Sequence, residues 1–105
     1  DLMDFRTIVE RPGDATILVG SGSNNSLSDV VKKARQSPLS DLSVDGAKGC
    51  WIQVEGGPDM TIYHLNQVTD EFVSRLDPDC QVLLGARASD EMIGRIRIVA
   101  VVSGL

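Results

Sequence analysis

The side chains that most often carry out chemistry or bind metals are scarce in this sequence. Its 105 residues include one histidine and two cysteines. Cys50 and Cys80 stand far apart with no further ligand cluster beside them, which excludes an ordinary zinc site. Each lies in an apolar, strand-like run, so we interpret both as reduced core thiols, as in a cytosolic protein. The sequence predicts no resident metal.

Long apolar runs and an excess of positive charge are also missing. No run approaches the roughly 18–20 apolar residues that span a bilayer, and the formal net charge is −5 at pH 7. A nucleic-acid partner would favour clustered Lys and Arg. We therefore expect neither nucleic acid nor direct membrane contact. The sequence has no initiating Met and no basic-then-apolar leader, so we expect it to be an excised or processed piece.

The remaining composition is that of an ordinary globular domain. Hydrophobic residues make up 42% and charged residues 24%, which fits one domain over residues 1–105 with a core of its own. Hydrophobic periodicity and turn residues predict the order α, β, α, β, α, β, β. The predicted helices begin and end near 4–11, 27–36 and 62–76, and the predicted strands cover 15–20, 49–55, 81–88 and 95–103.

These elements predict a mixed four-stranded sheet with two to three helices packed on it, an α/β (α+β) fold. Residues 98–102 are apolar at every position, which predicts a strand buried on both faces. The connection 89–94 is short enough for an antiparallel hairpin. Gly85 inside a strand suggests a bulge or a close backbone approach. A proline at 38 is expected to stop the second helix.

Two further features offer only weak candidate sites. The glycine- and serine-containing loop at 20–25 could hold a phosphate, but the fuller G-x-G-x-x-G and Gly-Lys-Ser/Thr patterns are missing. His64 falls on the polar side of the third helix, so we interpret it as a solvated surface residue without a partner. The predicted core side of that helix consists of Ile62, Leu65, Val68, Phe72 and Val73.

The first nine residues hold the strongest candidate for chemistry. Asp1 and Asp4 are three residues apart at the start of an apolar helical pattern. This spacing places both carboxylates on one side of the first helical turn, near the positive end of the helix dipole. From the spacing alone, helix capping is the simpler interpretation, because Asp is a favoured capping residue.

Five stretches carry a family resemblance: D-L-M-D-F-R-T-I-V at 1–9, S-P-L at 37–39, D-G-A-K-G at 45–49, G-P-D-M-T-I at 57–62 and I-R-I-V-A-V-V-S-G at 96–104. In the same order they resemble D-F-A-D-V-R-T-V-M, S-P-L-L, "small-Gly-Ala-Lys/Arg-Gly", G-x-D-L-T-L and V-R-V-T-V-I-A-T-G. These are stretches of the C-terminal domain of FtsZ, the bacterial and archaeal relative of tubulin. The match in order and spacing covers nearly the whole chain.

The resemblance implies a role in cell division. Members of that family bind GTP in an N-terminal domain and polymerise head to tail, and an acidic loop of one subunit completes the GTPase site of its neighbour. The acidic positions match Asp1 and Asp4, which would orient the attacking water and help hold the cation beside the γ-phosphate. Leu2, Met3, Phe5 and Arg6 are then expected at the subunit interface. The resemblance also implies that the last two strands pair antiparallel and the rest of the sheet is parallel.

The resemblance also limits what this chain should do alone. It contains no glycine-rich GTP-binding segment, so GTP and Mg are expected in the parent assembly and not on this chain, which should be inactive by itself. The parent protein would act as a GTPase at the division site in the cytoplasm. The alternative is a non-catalytic interaction or regulatory module of the same fold, in which Asp1 and Asp4 are only caps.

Overall fold

The structure, a computed structural model, describes residues 2–36 and 44–105, and the side chains of those ranges from Phe5 onward. Within these residues, three helices and four strands follow the predicted order. They are α1 (Leu2–Val9), β1 (Ala15–Ser23), α2 (Leu27–Arg35), β2 (Gly49–Gly56), α3 (Ile62–Val73), β3 (Gln81–Ala88) and β4 (Arg95–Ser103). A short 3-10 turn, Asp90–Met92, joins β3 to β4. The predicted mixed four-stranded sheet with packed helices is confirmed.

The strands lie in the order β1-β4-β2-β3. β4 pairs antiparallel with both β1 and β2, while β2 and β3 pair in parallel. The predicted β3–β4 hairpin is therefore wrong, and so is the expected pairing of the last two strands, because β2 lies between them. The connection after β3 crosses the end of β2, where the Ser89 N–H donates to the Gly56 carbonyl at 2.9 Å. This crossing places the most apolar strand at the centre of the sheet.

Alternation along the central strands separates two faces of different character. One face is fully buried beneath α2 and α3, and its strand residues are Leu18, Cys50, Ile52, Val54, Ile96, Ile98, Ala100 and Val102. The opposite face carries Trp51, Val99 and Val101, which are half-buried. Residues 98–102 are thus fully buried on one side and partly covered on the other, so the predicted burial on both faces holds only in part.

β1 extends three residues beyond its predicted end because its ladder with β4 continues to the pair Ser23 and Arg95. Gly20 lies directly beneath α2. A Cβ at that position would be 2.7 Å from the Val30 carbonyl oxygen and 2.8 Å from the Ala34 Cα. The predicted loop at 20–25 is therefore strand as far as Ser23, and its first glycine is needed for strand–helix packing.

Gly85 shows the opposite situation. It stands opposite Gln53 in an unbroken parallel register, and a Cβ there would meet no atom within 4 Å. The suggested bulge or close approach is absent at this residue.

Two helices end earlier than predicted. α1 covers Leu2–Val9 instead of 4–11, because the residue before Pro12 is disfavoured in the α region. α3 stops at Val73 instead of 76, and the Ser74 hydroxyl donates to the Glu71 carbonyl at 2.7 Å. The predicted stop of α2 at Pro38 lies outside the described residues.

Arg35, the last residue of α2, ties that helix to the end of α3. Its guanidinium donates to the carbonyl oxygens of Glu71 and Phe72, the latter at 2.9 Å. The charged group also lies 5.9 Å from the centroid of the Phe72 ring, within the range of a cation–π contact. Burial, followed by the neighbouring charge of Arg75, lowers the pKa of Arg35. The helix layer is therefore joined by polar contacts as well as by its apolar core.

Candidate functional site at the start of α1

α1 is attached to the sheet by side chains from Phe5 onward. The Phe5 and Trp51 rings meet edge to face, with centroids 5.5 Å apart and planes at 75°, a favoured aromatic geometry. Ile8, one turn further on, is fully buried. Since Trp51 alternates with the buried Cys50 and Ile52 along β2, α1 packs on the sheet face opposite α2 and α3. Phe5 and Ile8 thus attach α1 to the sheet.

The direction of α1 determines which end of the sheet its first residues approach. Phe5 meets Trp51, whereas the Arg11 side chain, beyond the end of the helix, lies against Gly49 at the start of β2. The Arg11 guanidinium also donates to the Gln81 side chain at 3.1 Å, at the start of β3. α1 therefore runs in the opposite sense to β2, and its first residues point toward the end where β2 stops.

The structure describes only some of the predicted site residues. Asp4 lies in the first turn of α1, as its spacing predicted, and α1 begins at the residue after Asp1. Asp1 itself and the side chains of Leu2, Met3 and Asp4 lie outside what the structure describes. Their catalytic and interface roles stay predictions.

The two remaining predicted interface residues behave differently from each other. Phe5 packs on Trp51 within this chain. Arg6 is exposed and lies 3.4 Å from the Glu10 carboxylate one turn later. An exposed ion pair of this kind contributes little to stability, so Arg6 can exchange its partner at small cost.

Asp59 is a polar anchor that the sequence did not reveal. Its Oδ2 atom accepts hydrogen bonds from the Asn24 side-chain amide at 2.9 Å and from the Gly94 N–H at 3.0 Å. These bonds, the Asn24 bond first, hold the pKa of the Asp59 carboxyl below its usual range. Asp and Asn in glycine-rich turns were a signal for turn structure, but nothing local indicated that three separate turns meet at one carboxylate.

The start of α3 is closed by a reciprocal pair of hydrogen bonds. The His64 N–H donates to the Thr61 hydroxyl at 3.2 Å, and the Thr61 N–H donates to the His64 Nδ1 atom at 3.0 Å. This arrangement is a capping box, in which Glu or Gln usually takes the place that His64 has here. His64 lies at the surface, as predicted, in a groove with Gln67 and Glu71. The expectation that it has no partner is wrong, because the start of the helix supplies one.

The first turn of α3 also exposes apolar side chains. Ile62, predicted on the core side, is 70% exposed, and Tyr63 is 64% exposed. The buried side of α3 instead starts at Leu65 and Val68, which pack on the core. Ile93 is 65% exposed and lies against Gly57, where a Cβ would be 2.7 Å from its backbone nitrogen. We call Ile62, Tyr63 and Ile93 the apolar end surface, since all three lie where β2 stops.

Cys50 lies in the core as predicted, whereas Cys80 is half-buried, precedes β3 and only packs against the core. Both are free. Burial, and secondarily the neighbouring Cys80, raises the pKa of Cys50 to about 12, and burial raises the pKa of Cys80 as well. A thiol that stays protonated is a poor nucleophile and metal ligand.

The described residues contain neither a metal-ligand cluster nor a membrane-spanning helix. Within residues 2–36 and 44–105, no three His, Cys, Asp or Glu side chains are grouped so that they could hold a metal ion. No helix in the same ranges has the length and apolar character needed to cross a membrane.

Comparison with known proteins places this arrangement in a family. The sheet and its helices form the kind of domain found in FtsZ cell division proteins, and the model of the FtsZ family C-terminal domain matches residues 13–105. The chain belongs to the FtsZ family and corresponds to its C-terminal domain. The match begins after α1, so the acidic segment lies outside it.

Individual relatives agree with this assignment. The chain is 39% identical to cell division protein FtsZ 1 of Archaeoglobus fulgidus and 38% identical to FtsZ of Haloferax mediterranei, with its whole length aligned. It covers 29% and 28% of those two proteins, so it spans less than a third of their length.

Solved structures show the same relationship. An FtsZ structure from M. jannaschii superposes with a TM-score of 0.87 at 31% identity, over 100% of this chain and 32% of that one. A structure of an FtsZ dimer from the same organism gives a TM-score of 0.86 at 30% identity, over 99% of this chain and 31% of that one. CetZ1 from Haloferax volcanii, at 15% identity and a TM-score of 0.76, shares the fold.

Proposed function

We propose that this domain supplies the acidic loop that completes the GTP-hydrolysis site of an adjacent subunit in a head-to-tail filament. Asp1 and Asp4 are the residues that would act there. The observation that carries the proposal is the placement of Asp4 in the first turn of a helix that Phe5 and Ile8 fix to the sheet. The backbone at Asp4 therefore has a defined position relative to the rest of the domain.

The nucleotide in this proposal belongs to the neighbouring subunit. In this chain the glycines at 20 and 22 pack against α2, and the described residues contain no metal-ligand cluster. The proposal places GTP and Mg on the neighbouring subunit and neither of them on this chain. The proposal therefore assigns half of a shared site to this domain, and it makes the isolated domain inactive.

The proposed chemical role is positioning. A carboxylate with an ordinary pKa of about 4 is a weak base at neutral pH, whereas phosphoryl transfer depends mainly on placement and on stabilisation of charge. Asp1 and Asp4 would orient a water molecule and attract the cation of the neighbouring subunit. The parent protein would then act as a GTPase at the division site in the cytoplasm.

A surface for the neighbour is available at the same end of the domain. The apolar end surface lies where β2 stops, which is also the end toward which the first residues of α1 point. Exposed large apolar side chains commonly mark interaction sites when they form a patch, and these three are all more than half exposed. Leu2, Met3, Phe5 and Arg6 would complete the contact around the acids. The M. jannaschii dimer structure shows that a related protein associates with itself.

The proposal is tested by adding the purified domain to an assembling archaeal FtsZ and measuring GTP turnover. Wild-type domain should change the turnover rate, because it occupies the exposed nucleotide end of the filament. Asp4→Asn and Asp1→Asn should reduce that effect about tenfold or more, since they remove a charge that acts directly on the reacting groups.

Asp14→Asn is the matched control. Asp14 is exposed and follows α1, so its loss of charge should leave the effect on turnover unchanged. Equal activity of the Asp1, Asp4 and Asp14 variants would overturn the catalytic assignment.

The second candidate function is a non-catalytic interaction module, and the apolar end surface is the observation that favours it. In that case Tyr63→Ser and Ile93→Ser would abolish binding to FtsZ, measured by co-sedimentation. The acid variants would bind and act like the wild type.

A further inference from the structure

We propose that His64 makes the start of α3 sensitive to protons: when its imidazole is protonated, the reciprocal cap with Thr61 opens and the first turn of α3 loosens. The inference concerns the regulation of this helix start and does not depend on the catalytic proposal. Its basis is the identity of the residue at the third helical position, where a titratable ring replaces the usual Glu or Gln.

The geometry requires the neutral ring. The Nδ1 atom accepts the Thr61 N–H at 3.0 Å, and a ring nitrogen accepts a hydrogen bond only when it carries no proton. The proton of the neutral ring is therefore on Nε2. Protonation of Nδ1 converts the acceptor into a donor that faces another donor, so this half of the cap cannot survive.

The position of His64 in the first turn of α3 also disfavours the protonated ring. The first N–H groups of a helix are without partners inside it and create a positive potential. A positive imidazolium three residues after Thr61 is therefore unfavourable there. The remaining half of the cap, from the His64 N–H to the Thr61 hydroxyl, does not involve the ring and can persist.

Among the residues that the structure describes, two carboxylates and a phenol are the titratable groups of the turn and groove beside His64. Asp59, in the turn before α3, attracts the protonated form, but it is fully exposed and already accepts bonds from Asn24 and Gly94. Glu71 and Tyr63 line the same groove, which has a volume of about 340 Å³. The groove residues contributed by α2 and the turn before it are Asn24, Asn25, Leu27 and Ser28, which carry no charge.

Glu71 and Tyr63 do not replace the lost bond. The Glu71 carboxylate accepts the Ser28 hydroxyl at 3.0 Å, and the Tyr63 ring meets the His64 ring at 6.2 Å between centroids. Neither offers an acceptor to the Thr61 N–H.

The Asp59 carboxylate is held by Asn24 and Gly94 and makes no bond to the Thr61 N–H in the structure. We therefore expect solvent to become the partner of this N–H when the ring is protonated, and the exchange of this amide should report the opening.

The consequence reaches the apolar end surface. Ile62 and Tyr63 are the two residues between the capping partners, so a loosened first turn changes their position directly. Leu65 and Met60 flank the cap and pack on the core, which confines the change to a single turn. The structure thus contains a local switch that responds to protonation of the His64 ring.

The experiment compares the wild-type chain with His64→Gln and His64→Ala at pH 8.0 and pH 5.5. Gln keeps an acceptor for the Thr61 N–H and does not titrate. His64→Gln is therefore the matched control for any effect of pH on Thr61 that comes from groups other than His64. Amide hydrogen exchange of Thr61 should be protected in wild type at pH 8.0. At pH 5.5 we expect protection, corrected for intrinsic exchange, to fall about fivefold toward that of His64→Ala. Protection in His64→Gln should stay constant.

Nitrogen chemical shifts of the imidazole provide the second readout. In wild type they should report an unprotonated Nδ1 at pH 8.0, and their titration should follow the loss of Thr61 protection with the same midpoint. The proposal is overturned if Thr61 protection is equal at the two pH values, or if it falls equally in wild type and His64→Gln.

Discussion

At the scale of single residues, Asp59 connects more of the chain than any local pattern would indicate. Its carboxylate joins the turn after β1, the turn before α3 and the turn before β4 through Asn24 and Gly94. The Asn24 N–H also donates to the Gly94 carbonyl at 3.0 Å. One exposed side chain thus fixes three turns at the end of the sheet where β2 stops.

Asp59 should give the fold a stability that is lost in acid. Its folded-state pKa is depressed by the Asn24 and Gly94 hydrogen bonds. A depressed carboxyl pKa adds stability that is present above the unfolded value of about 4 and is lost as the pH falls through the folded value. Asp59→Asn should therefore unfold at a lower urea midpoint than wild type at pH 6.

The difference in midpoint between wild type and Asp59→Asn should narrow as the pH is lowered from 6 toward 3, because the wild-type carboxyl loses its charge as the pH falls through its depressed folded-state pKa. Asp70→Asn, an exposed change within α3, serves as the control for a general effect of charge. A difference that stays constant from pH 6 to pH 3 would contradict the assigned role.

The burial of individual side chains could be predicted from the sequence only in part. The core residues Val68 and Phe72 follow from helical spacing, and both are buried. Ile62 has the same spacing but is exposed, because it precedes the part of α3 that lies over the core. Periodicity indicates a face of a helix, whereas the length of that face in contact with the sheet depends on the tertiary packing.

At the scale of elements, the contact between β1 and α2 depends on a missing side chain. Gly20→Ala would place a methyl group 2.7 Å from the Val30 carbonyl oxygen, an atom of the main chain that cannot rotate away. β1 and α2 would have to separate. We expect a loss of about 3 kcal/mol in the free energy of unfolding, measured by urea denaturation.

Gly85→Ala is the matched control for this prediction. It also lies within a strand, but a Cβ there meets no atom within 4 Å. Replacing a flexible glycine at such a position should leave stability unchanged or raise it by about 0.5 kcal/mol. Equal losses in the two variants would show that strand propensity, and not the packing against α2, determines the effect.

The elements themselves were largely visible in the sequence. β3 and β4 have their predicted bounds, and β2 is longer by one residue, since alternating or continuous apolar runs and flanking turn residues are local signals. The end of β1 was not visible, because Gly-Ser-Gly-Ser is typical of loops. It becomes a strand only because β4 supplies a ladder partner over that length.

At the scale of the whole molecule, the order of the strands is the feature that local patterns could not give. β3 and β4 are consecutive and closely connected, which favoured a hairpin. β4 instead lies between β1 and β2, where its apolar residues are covered by both neighbours and by α2. The strand order places the apolar residues of β4 where neighbouring strands cover them. A short connection such as that between β3 and β4 can still cross one intervening strand.

Because β4 is the partner of both β1 and β2, the sheet should depend on it completely. A chain ending at Gly94 leaves β1 without a strand to pair with, and we expect it to show no cooperative urea transition by circular dichroism. Adding a peptide of residues 95–105 should restore the transition. A chain lacking only Leu105, which loses two backbone bonds to Asp14, should unfold cooperatively with a modest decrease in midpoint.

The central place of β4 also sets a delay during synthesis. The roughly seventy residues between the end of β1 and the start of β4 take several seconds to translate at about 5–20 residues per second. Throughout that interval β1 has emerged with its hydrogen-bonding edges unpaired, and β2 and β3 can form only a two-stranded piece. A newly made chain is therefore open to chaperones, or to wrong partners, until its central strand leaves the ribosome.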